Sequence, residues 1–148
     1  MDELRDLYQE MILDHGKNPR NQGRLDGSTH AADGHNPLCG DMLHLMLTVD
    51  GDTVTDARFD GQGCAISTAS ASMMTDVVKG MSLPDVKQLV RTFIGVATGK
   101  ISPDPAELGK LAVFSGVSEF PARVKCATLS WRTVEAAISE SNDPITTE

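Results

Sequence analysis

Between Leu4 and Leu13 apolar side chains recur at helical spacing, as Leu4, Leu7, Tyr8, Met11 and Ile12, which predicts an amphipathic helix stopping near Gly16. The next stretch, KNPRNQGRLDGSTHAADGHNP, is rich in Gly, Asn, Asp and Pro and has no apolar period, so irregular surface chain is expected as far as Cys39. The period then becomes two. Leu43, Leu45, Leu47 and Val49 share one face of residues 42–49, and Thr55, Ala57 and Phe59 share one face of residues 54–60 with Asp56, Arg58 and Asp60 opposite. Asp50-Gly51 lies between these two strands, and both residue types tolerate the positive φ of a tight turn, so an antiparallel hairpin is predicted.

After Gly61-Gln62-Gly63-Cys64 the pattern turns helical, with Ile66, Ala69, Ser70, Met73 and Val77 on one face of a run of small residues. Ser82 and Asp85 form the signature of a capping box, opening a helix through Val86, Leu89, Val90, Phe93 and Ala97 that ends at Gly99. Pro103 and Pro105 forbid its continuation. A short helix around residues 106–113 and a last long one carrying Val124, Ala127, Trp131, Val134 and Ile138 complete the series, with Cys126 near the start of the latter.

A chain of 148 residues with 40% hydrophobic content suits one core, so a single domain over residues 1–148 is expected, with a frayed tail from about residue 140. The net charge of −8, from 21 acids and 13 bases, makes nucleic acid and anionic membrane surfaces poor partners and leaves proteins or metals. The opening MDELRDLYQE is acidic and helix-like, without the basic start and apolar run of a secretion signal, and no stretch approaches a membrane span, so the expected location is cytoplasmic.

Three cysteines, an odd number spread along the chain, argue against a disulfide framework and for thiol chemistry or metal binding. Cys39 lies in a CGD turn, Cys64 at a strand-to-helix junction and Cys126 near a helix start. Each alone is read as readily as core filler. Together with Asp41 they provide three thiolates and a carboxylate, the four ligands of a closed tetrahedral zinc site, and Gly40 gives the chain freedom to aim Cys39 and Asp41 at one ion. The separations of 25 and 62 positions match no compact zinc-finger pattern. A divalent ion with these ligands carries excess negative charge, which Arg123 and Lys125 beside Cys126 would offset if they face it; otherwise they are a solvated basic pair. His30, His35 and His44 are expected to be solvated or packing residues, His15 to be structural at the end of the first helix, and Met73 and Met74 to be core.

Four long motifs occur in order: LYQEMILDHGKNPRNQG at 7–23, NPLCGD at 36–41, FDGQGCAISTASASMMT at 59–75 and FPARVKCATLSW at 120–131. With them the sequence resembles the SufU branch of the U-type (IscU-like, NifU N-terminal) iron–sulfur cluster assembly family over nearly its whole length. IscU-type members carry His before the third cysteine, whereas Lys125 stands there in this chain, and the stretch ISPDPAELGKLAVFSG points to the same branch. The resemblance implies an α+β fold, a small antiparallel β-sheet packed against α-helices on one side, of the SufE/NifU-like kind. It implies a zinc ion held by Cys39, Asp41, Cys64 and Cys126, and a sulfurtransferase that accepts persulfide sulfur on Cys39 from a SufS-type cysteine desulfurase and passes it to a downstream Suf assembly scaffold. In that setting Arg123 stands close to the site, and a histidine of the desulfurase takes over a zinc position to free the cysteine. The nearest alternative is an iron–sulfur scaffold of the IscU type holding a transient cluster on the same cysteines, and a third is a purely structural zinc adaptor.

Overall fold

The computed structural model describes residues 2–102, 104–139 and 145–146. Its order is α1 (Asp2–Lys17), β1 (His30–Asn36), β2 (Asp41–Asp50), β3 (Thr53–Gln62), α2 (Ala65–Val78), α3 (Leu83–Ala97), α4 (Pro105–Leu108), a 3-10 helix (Gly109–Glu119), α5 (Pro121–Ile138) and β4 (Ile145–Thr146). The sheet order is β3-β2-β1-β4, antiparallel except for the parallel β1–β4 pair. The fold is α+β, as expected, and no helix among the described residues is long and apolar enough to cross a membrane.

The hairpin forms where the Asp50-Gly51 signal places it, Gly51 taking φ 64°. Leu43, Leu45 and Leu47 are buried on one face, where Leu45 pairs with Phe59 and Leu47 with Ala57. Thr55 departs from the expected alternation: Thr48 pairs with Asp56 and Val49 with Val54, so Thr55 is the extra residue of a β-bulge and is exposed, while Val54 is buried in its place.

Strand β1 lies in the stretch whose sequence predicts irregular chain. Its residues alternate, with Ala32, Gly34 and Asn36 turned inward and Ala31, Asp33 and His35 outward, but the inward set lacks large apolar groups. The reason is α5, which crosses closely: a Cβ on Gly34 would lie 2.2 Å from Thr133 Oγ1 and 3.0 Å from Leu129 Cδ1. Of the tail expected to fray, residues 140–144, 147 and 148 lie outside the described set, and Ile145–Thr146 pair with Gly34 and His35. The side chains of Leu4, Leu7 and Tyr8 and residue Pro103 also lie outside it; Met11 and Ile12 pack against the core.

Helices α2 and α5 cover the inner face of the sheet. Helix α2 is buried on more than the one predicted face, since Ser67, Ala71, Ser72, Met74 and Thr75 are enclosed with Ala69, Ser70 and Met73. Ser70 ties the two helices: its hydroxyl donates to the Ala127 carbonyl at 2.6 Å and accepts from Trp131 Nε1 at 3.1 Å, so the polar atoms that the small-residue packing buries are satisfied. Trp131 stacks on Phe93 of α3 with ring centroids 4.4 Å apart, which anchors α3 against α5. Ser82 caps α3 through the Asp85 amide, as its sequence signature predicts. The short helix expected around 106–113 is instead α4 followed by a 3-10 segment that continues to Glu119 and buries Leu111, Val113, Phe114 and Val117.

Candidate metal centre

The inward rows of the central strands run Ala32, Gly34, Asn36 on β1 and Leu47, Leu45, Leu43, Asp41 on β2, so the alternation that builds the core ends on one buried polar pair. Asn36 and Asp41 are cross-strand partners, both fully buried, and the loop of residues 37–40 between them carries Cys39. Gly40 takes φ 72° with open space around it, which lets the loop turn back into β2.

Asp41 reaches two other elements. Its Oδ1 accepts from the Cys64 amide at 2.8 Å and its Oδ2 from Asn36 Nδ2 at 3.2 Å. Cys64 is the N-cap of α2, its Sγ accepting from the Ser67 amide at 3.4 Å, and that sulfur lies 4.0 Å from Asp41 Oδ2. Cys126, on the second turn of α5, is buried, and its Sγ lies 3.2 Å from Cys39 Sγ and 3.5 Å from Asn36 Nδ2. Four elements of the fold therefore deliver the predicted residues to one end of the sheet.

Ligand atoms of Cys39, Asp41 and Cys126 all lie within 4.8 Å of one another. Cys64 does not complete a set that tight, but it abuts the group through Asp41, its sulfur 4.0 Å from Oδ2. In a tetrahedral site with Zn–S distances of about 2.3 Å, neighbouring sulfurs stand roughly 3.8 Å apart, so these spacings fit a thiophilic ion after small side-chain adjustments.

Burial pushes the Cys126 thiol above its ordinary value, and the neighbouring Cys39, Cys64 and Asp41 side chains add to the effect. Ionising the Cys126 thiol alone is therefore costly, and a divalent cation bound beside it would reverse that preference.

Arg123 is exposed on the first turn of α5, one turn ahead of Cys126, and its guanidinium lies over the Phe120 ring, 4.4 Å from the centroid. Among the described residues no side-chain hydrogen bond links Arg123 to the cysteines. Lys125 is half-buried. The histidines stay away from the cluster. His44 is exposed and bonded to Asp33 at 2.5 Å, His35 is exposed, His30 bonds to the Thr29 hydroxyl, and His15 is buried against Ser72 of α2. Sequence reasoning missed Asn36. The available signal was its place as the last inward position of β1, visible only once that strand is recognised.

Residues 7–127 match the model of the NifU-like N-terminal domain. The chain is 46% identical over 134 residues to the zinc-dependent sulfurtransferase SufU of Bacillus subtilis (strain 168), covering 90% of each protein. It is 41% identical over 141 residues to the iron–sulfur cluster assembly scaffold protein IscU of Streptococcus pyogenes serotype M1, covering 95% of this chain and 88% of that one. Among solved structures, FiSufU from Fervidobacterium islandicum AW-1 superposes with a TM-score of 0.84 at 33% identity, over 90% of this chain and 98% of that one. By motif, fold and site, the chain belongs to the NifU-like N-terminal domain family, the U-type proteins of iron–sulfur cluster assembly.

Proposed function

We propose that the protein is a zinc-dependent sulfurtransferase of iron–sulfur cluster assembly that accepts persulfide sulfur from a cysteine desulfurase on Cys39. The observation that carries this reading is the unequal exposure of the three thiols: Cys39 is exposed, Cys64 half-buried and Cys126 buried. Asp41, Cys64 and Cys126 are fixed by a strand and two helices, whereas Cys39 sits on a loop with open space where a Gly40 side chain would project. Cys39 is thus the ligand able to turn outward while the other three stay in place.

Cys39, Asp41, Cys64 and Cys126 would hold the zinc. Bound there, the ion supplies the positive charge that keeps the thiols ionised, and it does so without redox chemistry of its own. The turned-out Cys39 thiolate attacks the outer sulfur of the donor's persulfide; the donor's sulfur–sulfur bond breaks, its cysteine leaves as a thiolate, and Cys39 carries the new persulfide. Leu38, next to Cys39 in the chain, is 66% exposed, and Met42, at the start of β2, is 53% exposed; apolar groups so displayed suit a protein partner that docks at this end of the sheet. Arg123 would attract the donor's anionic sulfur from one helical turn before Cys126. The partners in this reading are a SufS-type desulfurase and a downstream Suf scaffold, and the compartment is the cytoplasm.

The test is incubation with a cysteine desulfurase and cysteine, followed by mass mapping of the sulfur. One extra sulfur on the peptide containing Cys39, and none in Cys39→Ser, is the expected outcome; undiminished loading of Cys39→Ser would refute the assignment. The iron–sulfur scaffold reading draws on the name of the Streptococcus relative. Anaerobic reconstitution separates the two, because a stable, transferable cluster that displaces zinc supports the scaffold and a colourless protein that speeds desulfurase turnover supports sulfur transfer.

A further inference from the structure

We infer that Asn36 is a positioning residue of the metal centre: its side-chain amide ties the carboxylate of Asp41 to the sulfur of Cys126 and closes the neck of the loop that presents Cys39. This rests on the zinc-site reading above. Asn36 is fully buried, and its Nδ2 donates to Asp41 Oδ2 at 3.2 Å and to Cys126 Sγ at 3.5 Å. Its Oδ1, equally buried, has no hydrogen-bond partner. Leaving a buried carbonyl orphaned is unfavourable, so the orientation is set by what the other end gains. Reversing the amide would turn an oxygen against a carboxylate and a sulfur, both of which accept hydrogen bonds when they bind a cation.

The placement gives the amide leverage over three ligands. Asn36 and Asp41 are the last register pair of β1 and β2, so their side-chain bond fastens the base of the loop of residues 37–40. Cys126 arrives from α5, ninety residues along the chain, and the Asn36 amide hydrogen-bonds both it and Asp41. A neutral donor between two anionic ligands also lowers their repulsion without competing for the ion, as outer groups around metal ligands generally do.

Asn36→Asp keeps the shape but replaces the donor with an acceptor and adds negative charge, whereas Asn36→Ala removes the donor alone. In chelator competition with Zn2+, Asn36→Ala is expected to bind roughly 10- to 100-fold more weakly than the native protein, and Asn36→Asp no better than Asn36→Ala. With Co2+ in place of zinc, both variants should show a shifted ligand-field spectrum, a signature that loss of packing alone would leave unchanged in correctly folded protein. Circular dichroism of the metal-free forms identifies any variant that does not fold. A measurement on the native chain needs no variant at all: on Zn2+ addition the Asn36 side-chain amide protons should shift and exchange more slowly with solvent. If folded variants match the native affinity and Co2+ spectrum, or if the native amide protons ignore the metal, the role assigned to Asn36 is wrong. Failure of the native protein itself to bind Zn2+ would instead overturn the zinc-site reading on which the inference rests.

Discussion

The site depends on close approaches that single atoms can upset. A Cβ on Gly63 would lie 2.8 Å from Asp41 Oδ1, the oxygen held by the Cys64 amide, so Gly63→Ala must push the carboxylate or the start of α2 aside. The expected result is zinc affinity lowered by roughly 10-fold or more in a protein that still folds, measured by chelator competition. Far from the cluster, His15 offers a pH test. Its Nδ1 meets Ser72 Oγ at 2.7 Å, and that oxygen also accepts from the Arg20 amide at 2.8 Å, which suits a neutral imidazole receiving the serine proton. Burial holds its pKa below the usual 6.5; Arg20 and Lys110 repel the charged form as well, against the attraction of Asp14 and Asp76. A histidine whose pKa is depressed by folding binds more protons when unfolded, so its contribution is complete above about pH 6.5 and is lost as the pH falls towards the folded-state value. Urea unfolding from about pH 7 to about pH 5 should therefore show a fall in stability that is smaller in His15→Gln.

Among the elements, large apolar side chains made their own strands and helices legible, and small ones concealed theirs. The β2–β3 hairpin and α3 are marked by leucines, Phe59, Phe93 and explicit turn or cap residues, and they form where the sequence predicts them. Strand β1 also alternates, but its inward positions are Ala32, Gly34 and Asn36, because α5 lies too close for anything larger. Hydrophobic periodicity has no signal to detect there, although the strand is central in the sheet. Thr55 was misplaced for a related reason: a bulge shifts the face of a strand by one residue and leaves no compositional mark. The close packing of β1 on α5 is testable. Gly34→Ala should lower stability by about 1–3 kcal/mol in urea unfolding by forcing Thr133 and Leu129 away. An unchanged midpoint would mean that α5 does not press on β1 as described.

At the scale of the molecule, the cysteines were easy to find and their convergence was not, because separations of 25 and 62 residues carry no geometric information without a fold. Their meeting follows from the way the sheet ends. Asp41 closes the inward row of β2, Cys64 caps the helix leaving β3, and α5 brings Cys126 across β1. The core formed by Leu45, Leu47, Met73, Phe93, Trp131 and their neighbours is apolar and includes none of the four candidate ligands. Chelation is therefore expected to lower the melting temperature, since the ion binds the folded state, yet to leave the circular dichroism spectrum of a folded α+β protein. Unfolding on chelation would favour a purely structural zinc site. The central claim, that four side chains from four elements clasp one ion, is tested most directly by X-ray absorption at the zinc edge of the purified protein. Three sulfurs near 2.3 Å and one light ligand near 2.0 Å, with a sulfur lost in Cys39→Ser and the light ligand altered in Asp41→Ala, is the predicted result. A shell of nitrogen and oxygen alone, or a spectrum indifferent to both substitutions, would contradict it.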